Sequence, residues 1–213
     1  MHEVVVIDYG MGNIFSVSRG LETCGANVVV TSDPKVIVSG SRVVLPGVGA
    51  FKDGISELRR RGLDDVVREV AARGVPLLGI CLGMQMLLDE SDEFGLTTGL
   101  GLIPGRVIQI PAKAADGLPQ KIPQIGWNAL LLSGGRKDWE GTPLAQIHQG
   151  ESVYFVHSFM AVPADPADRI ADCAYGGLRV AAAIGRANVF GCQFHPEKSG
   201  NVGLRILRSF LAS

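Results

Sequence analysis

Cys81 stands between two glycines in Gly79-Ile-Cys81-Leu-Gly83, after an apolar run and before a helical pattern. A nucleophile on such a strand-to-helix turn sits on a tight bend at the carboxyl end of a parallel sheet. Its side chain then points into the crevice where open α/β sheets take their ligands. A Cβ at position 79 or 83 would collide across the bend, so glycine is required at both. The helix that follows places the positive end of its dipole beside the sulfur. That favours the thiolate, the reactive form of cysteine.

A thiolate nucleophile needs a proton carrier, and Phe194-His195-Pro196-Glu197-Lys198 offers one. His195 closes the apolar run 189–194, and Pro196, which lacks an N–H, ends the strand there. Pro196 keeps the chain extended, which projects His195 and Glu197 to the same side. His195 reads as general base and acid, and Glu197 as the group that fixes its tautomer and orientation. Pro46-Gly-Val-Gly49 follows another buried strand at the same sheet edge. Its backbone N–H groups, with that of Leu82, form an oxyanion hole in this reading, each donor worth about 3–4 kcal/mol. The three side chains and the strip together describe a thiol hydrolase.

Other motifs carry less. Gly10-Met-Gly12-Asn-Ile-Phe15 fails as a dinucleotide fingerprint, because Phe15 stands where the third glycine belongs. Gly99-Leu-Gly101-Leu-Ile-Pro-Gly105 fails too, broken by Pro104 and lacking a preceding strand. His2, His148 and His157 have no metal-like spacing and read as neutral surface or core histidines. Cys24, Cys173 and Cys192 are irregularly spaced among apolar or small residues. They read as reduced, small core side chains.

The elements that must position this chemistry follow from hydrophobic periodicity. Strands are predicted over 4–8, 26–31, 43–45 and 76–81. Helices lie between them, one carrying Ile14, Val17, Leu21 and Cys24 on one face, and one or two carrying Ile55 through Val70. This alternation, with continuously apolar strands, predicts an open and mostly parallel sheet covered by helices on both faces. The second half reads as strands over 107–110, 125–132, 153–159, 170–174, 180–184 and 189–194, antiparallel additions to the parallel core. A last helix carries Leu204, Ile206, Leu207, Phe210 and Leu211, with Ser199 as its N-cap. Residues 112–120 read as a mobile surface loop.

With 213 residues, 46% of them apolar, the chain suffices for one domain spanning 1–213. A net charge of −1 offers no track for nucleic acid and no attraction to an anionic membrane. No run reaches the roughly 18 apolar residues of a membrane span. The N-terminus is a strand pattern without a basic leader, so a cytoplasmic location is expected.

At these residues the chain resembles the class I, triad-type glutamine amidotransferases over almost its whole length. Gly-Ile-Cys81-Leu-Gly-Met-Gln85 resembles that family's nucleophile elbow, and His195-Pro-Glu197 its histidine and glutamate. Five further segments resemble one branch, whose members supply ammonia to a (β/α)₈-barrel cyclase subunit in histidine biosynthesis. They are Asp8-Tyr-Gly-Met-Gly-Asn13, Pro46-Gly-Val-Gly-Ala-Phe51, Ile125-Gly-Trp127-Asn128, Tyr154-Phe-Val-His-Ser158 and His195-Pro-Glu-Lys-Ser-Gly200. The resemblance implies a flavodoxin-like glutaminase domain that hydrolyses L-glutamine through a Cys81 thioester, with no cofactor or metal. It implies oxyanion donors at Val48 and Leu82, and glutamine contacts from Gln85 and the backbone of Gly49, Ser158 and Phe159. It places Asn13, Trp127 and Lys198 on the face that meets the cyclase, in a heterodimer. Residues 113–121 look long for the family, so no contact is carried over there. Anthranilate and pyridoxal phosphate synthase glutaminases share the triad. The residues by themselves also leave open a stand-alone thiol amidase or a non-catalytic binding subunit.

Overall fold

The computed structural model describes residues 2–213. The first half alternates strand and helix: β1 (His2–Ile7), α1 (Ile14–Thr23), β2 (Ala26–Thr31), α2 (Pro34–Ser39), β3 (Val43–Leu45), α3 (Phe51–Arg60), α4 (Leu63–Ala72), β4 (Leu77–Ile80) and α5 (Leu82–Met86). The second half is rich in strands: β5 (Glu90–Ser91), β6 (Thr97–Thr98), β7 (Gly105–Gln109), β8 (Gln124–Ala129), β9 (Leu131–Leu132), β10 (Ser152–His157), β11 (Phe159–Pro163), β12 (Arg169–Tyr175), β13 (Leu178–Arg186) and β14 (Val189–Cys192), followed by α6 (Gly200–Ala212).

Eight strands form the main sheet in the order β2-β1-β3-β4-β14-β13-β12-β9. The first five are mutually parallel, and the last three run antiparallel to their neighbours. The order 2-1-3-4 is the flavodoxin-like winding, whose ligand crevice lies at the carboxyl ends of the strands. Alternate residues of β1 feed opposite cores. Val4 and Val6 join Val17 and Leu21 of α1 and Leu207 and Phe210 of α6. Val5 and Ile7 join Ile55 and Leu58 of α3 and Val67 and Val70 of α4. Both sheet faces are therefore covered, as continuously apolar parallel strands require.

Several expectations are corrected. The run 153–159 is two strands, because the chain leaves one sheet at Ser158 and enters another. β10 pairs with β8, whereas β11 pairs with β7. The run 125–132 likewise divides into β8 and β9, the latter on the edge of the main sheet. In β8 the apolar residues Ile125 and Trp127 are more than half exposed while Gln124 is buried, so apolar pattern does not report burial there and cannot mark the change of partner. α2 was not foreseen. It is six residues long and starts on local chemistry, with Pro34 first and Asp33 Oδ1 accepting from the Lys35 N–H at 2.8 Å. The segment 112–120 is a surface loop, as expected, and folds back on itself, with Ala114 N–H donating to Leu118 O at 2.8 Å and Ala115 N–H to Gly176 O at 2.8 Å. Ser199 precedes α6 but its side chain caps nothing there.

Candidate active site

The carboxyl ends of β3, β4 and β14 lie side by side, and each contributes one part of a single pocket. β4 delivers Cys81, whose φ of +55° and ψ of −111° fall where side chains are rarely tolerated. Such a conformation costs about 1–3 kcal/mol and persists only where its surroundings enforce it. The flanking glycines show the enforcement. A Cβ on Gly83 would lie 1.9 Å from Leu45 O, and one on Gly79 would lie 2.7 Å from Met84 N. The elbow thus packs backbone against backbone on β3, and only glycine permits that. Cys81 N–H donates to Cys192 O at 2.8 Å, which extends the β4–β14 ladder into the turn.

β14 ends at Cys192, two residues earlier than predicted, and the chain then carries Gln193, Phe194 and His195 along the pocket. His195 Nδ1 and Glu197 Oε1 lie 2.8 Å apart, both side chains almost wholly buried. They do not meet through an extended chain. Pro196–Lys198 forms one 3₁₀ turn, closed by Lys198 N–H donating to His195 O at 3.0 Å. That turn folds the carboxylate back against the ring. With Nδ1 so engaged, Nε2 is left for the Cys81 sulfur, which lines the same cavity. Burial disfavours the charged ring, but contacts with the Cys81 sulfur and the Glu197 carboxylate outweigh it. They raise the His195 pKa to about 9.

β3 contributes the Pro46-Gly-Val-Gly49 strip. Tyr9 Oη donates to Pro46 O at 2.8 Å, and burial pushes the Tyr9 pKa well up, so it stays a donor. A Cβ on Gly47 would meet Tyr9 Oη at 2.7 Å and Gly83 N at 2.9 Å, so the strip lies tight against the elbow. Gly49 follows with φ +106°.

These parts enclose a cavity of about 310 Å³. Cys81, His195, Val48, Gly49, Leu82, Gln85, Ser158 and Phe159 all line it. Glu197 lies behind His195. Asn13, Trp127 and Lys198 lie outside the cavity. Asn13 caps α1, its Oδ1 accepting from Ser16 N–H at 3.4 Å. Trp127 is 56% exposed on β8 and meets Tyr154 edge to face at 6.0 Å. Lys198 is exposed on the 3₁₀ turn.

Three residues at or directly behind the pocket were missed in the sequence. Gln193 is fully buried, and its Nε2 lies 3.7 Å from Cys81 Sγ. Its Oε1 accepts from Gln85 Nε2 at 2.9 Å, and Gln85 Nε2 also donates to Phe159 O at 3.1 Å. A polar residue inside the apolar run 189–194 was the signal for it. Glu93 lines the cavity and accepts from Phe51 N–H at 2.6 Å. Among the acids at 89, 90 and 92, nothing in its spacing marks it. His157 also lines the cavity, with Nδ1 2.8 Å from Phe159 O. Burial lowers its pKa to about 4, against the pull of that carbonyl, so the ring is neutral and Nδ1–H is the donor.

A thiol that shares a pocket with a carboxylate-oriented imidazole is equipped for acyl transfer from an amide or ester. The family model for class I glutamine amidotransferases matches residues 5–213. The chain is 49% identical over 211 residues to the imidazole glycerol phosphate synthase subunit HisH 1 of Legionella pneumophila (strain Lens), with 99% of each covered. It is 51% identical over 217 residues to the HisH subunit of Methylococcus capsulatus, covering 99% of this chain and 96% of that one. The solved structure of PurLQS from Thermotoga maritima superposes with a TM-score of 0.73 at 22% identity, covering 99% and 98% of the two chains, a likeness of fold. With the elbow, the oriented histidine and the winding of the sheet in agreement, this chain belongs to the class I glutamine amidotransferases.

Proposed function

We propose that this chain is the glutaminase subunit of an imidazole glycerol phosphate synthase. In this reading it hydrolyses L-glutamine and passes the ammonia to a (β/α)₈-barrel cyclase in histidine biosynthesis. The observation that carries the chemistry is Cys81 and His195 on one cavity, with Glu197 bonded to the far side of the His195 ring. Identity of 49% and 51% to HisH subunits along nearly the whole chain supports this enzyme over other glutaminases sharing the triad.

The Cys81 thiolate attacks the γ-carbonyl carbon of glutamine, and the carbonyl electron pair moves onto oxygen. Leu82 opens α5, so its N–H has no acceptor within the helix and is available to that oxyanion. Val48 N–H supplies a second donor. His195 gives its proton to the amide nitrogen as the C–N bond breaks, releasing ammonia and leaving a γ-glutamyl thioester. The neutral ring then takes a proton from water, whose oxygen attacks the thioester, and glutamate departs as the thiolate reforms. Glu197 keeps Nδ1 occupied throughout, so Nε2 alone serves the sulfur.

Gln85 spends its amide hydrogens within the protein, which leaves its carbonyl oxygen for substrate. The Glu93 carboxylate suits the α-ammonium of an amino acid, and the Gly49, Ser158 and Phe159 backbone completes the pocket. Asn13, Trp127 and Lys198 form the cyclase face in this reading, with Trp127 as its aromatic anchor. Docking would bias the Pro46–Gly49 strip toward the orientation that aims the Val48 N–H inward, a population shift. All four cysteines are free thiols, as the reducing cytoplasm keeps them, and we place the protein there.

A glutamine-analogue alkylating agent, applied with and without the cyclase and followed by peptide mapping, tests the assignment. Labelling at Cys81, faster in the complex, is expected. Labelling elsewhere, or none in the complex, rejects it.

A further inference from the structure

Ser199 is 1% exposed and its hydroxyl belongs to no helix cap. It donates to His195 O at 2.6 Å and accepts from Tyr154 N–H at 3.0 Å. The Tyr154 carbonyl, in turn, accepts from His195 N–H at 2.9 Å. Both backbone polar groups of His195 are therefore tied to one residue of β10, one directly and one through the Ser199 hydroxyl. Lys198 N–H also reaches His195 O, but only from within the same turn.

Tyr154 stands opposite Trp127 in the β8–β10 register, and their rings touch edge to face. These two strands form a sheet of their own. They share no ladder with the eight-stranded sheet, and β8 is held against β12 by side-chain bonds from Asn128 Nδ2 to Ala174 O at 3.2 Å and from Gln124 Nε2 to Cys173 Sγ at 3.4 Å. We infer that Ser199 is a positioning residue, whose hydroxyl clamps the His195 backbone to the Trp127–Tyr154 strand pair, so that displacement of that pair re-aims the imidazole at Cys81. The inference rests on the glutaminase reading and deepens it, giving partner contact at Trp127 a route to the proton carrier. Backbone atoms carry the link, so the identity of the residue 154 side chain matters less than the hydroxyl at 199.

The test compares Ser199→Ala with the parent chain, both in complex with saturating cyclase and alone. Turnover in the complex is expected to fall about tenfold, with a smaller change in KM, as befits a misplaced catalytic group. Stimulation by the cyclase should shrink in proportion. The pH profile of Cys81 alkylation should move its upper inflection downwards, because the contacts that hold the imidazole protonated are loosened. Ile206→Val is the control. It removes a buried methyl from the same C-terminal helix without touching the hydroxyl. If Ser199→Ala keeps the parent stimulation and pH profile, or if Ile206→Val reproduces its defects, the clamp is overturned. Mapping of the parent chain's adduct to Cys81 tests the glutaminase reading separately, so the two failures are distinguishable.

Discussion

Two histidines share one pocket and lean in opposite directions, which gives the protein two separable responses to pH. The His195 pKa is raised to about 9, so the ring holds its proton at neutral pH and loses it above that value. Glutaminase turnover is expected to fall as pH rises through about 9. Glu197→Gln removes one of the charges that sustain that proton. Its kcat is expected to drop by roughly 10²–10⁴, by analogy with other oriented imidazoles, and its alkaline limb to move to lower pH. An unchanged profile in steady-state assays would remove Glu197 from the mechanism. His157 acts on stability instead. Its folded pKa near 4 lies below the unfolded value of 6.5, so between them the unfolded chain binds a proton that the folded chain refuses. Stability is full above 6.5 and declines as pH falls through that window, by up to about 3 kcal/mol. Thermal midpoints from pH 7 to 4 should fall less for His157→Asn than for the parent. The meeting of Cys81, His195 and Glu197 was legible because each position has particular neighbours: glycines for the bend, a strand end for the ring, a two-residue spacing for the acid. Gln193, Glu93 and His157 were not, since their roles come from what the fold brings against them.

At the scale of elements, the elbow and β3 form one steric unit. Gly83→Ala would drive a Cβ to 1.9 Å from the Leu45 carbonyl, where no side-chain rotation relieves it. A loss of about 3 kcal/mol is expected in urea unfolding, at the upper end for overpacking, with activity lost alongside. Retention of both would mean that β3 can retreat. The parallel half of the sheet was legible because strands buried on both faces alternate with amphipathic helices, as β1, β3 and β4 do with α1, α3 and α4. The strand-rich half was legible only in kind. Positions 125–132 and 153–159 each read as one strand while the backbone changes partners, at Leu130 and at Ser158. His195 and Glu197 meet through a tight turn rather than an extended strand, because Lys198 N–H closes back on the His195 carbonyl.

At the scale of the molecule, the exposed aromatic on β8 lies outside the pocket yet one strand away from residues that build it. Trp127→Ala is expected to leave folding and basal hydrolysis near parent levels, because its ring is more than half exposed. The loss should appear in cyclase affinity, at about 2 kcal/mol or more if the ring is an interface anchor. Calorimetric titration with the cyclase measures it, and unaltered affinity would move the interface elsewhere.

The crossing of the chain at Ser158 has a mechanical consequence. The two-stranded and four-stranded sheets share no ladder, so each can open on its own. Ser158, the shorter of their two covalent joints, is also a wall of the cavity. An amino acid bound there is a splint across a hinge, and its arrival should slow amide exchange in strands on either side that it never touches.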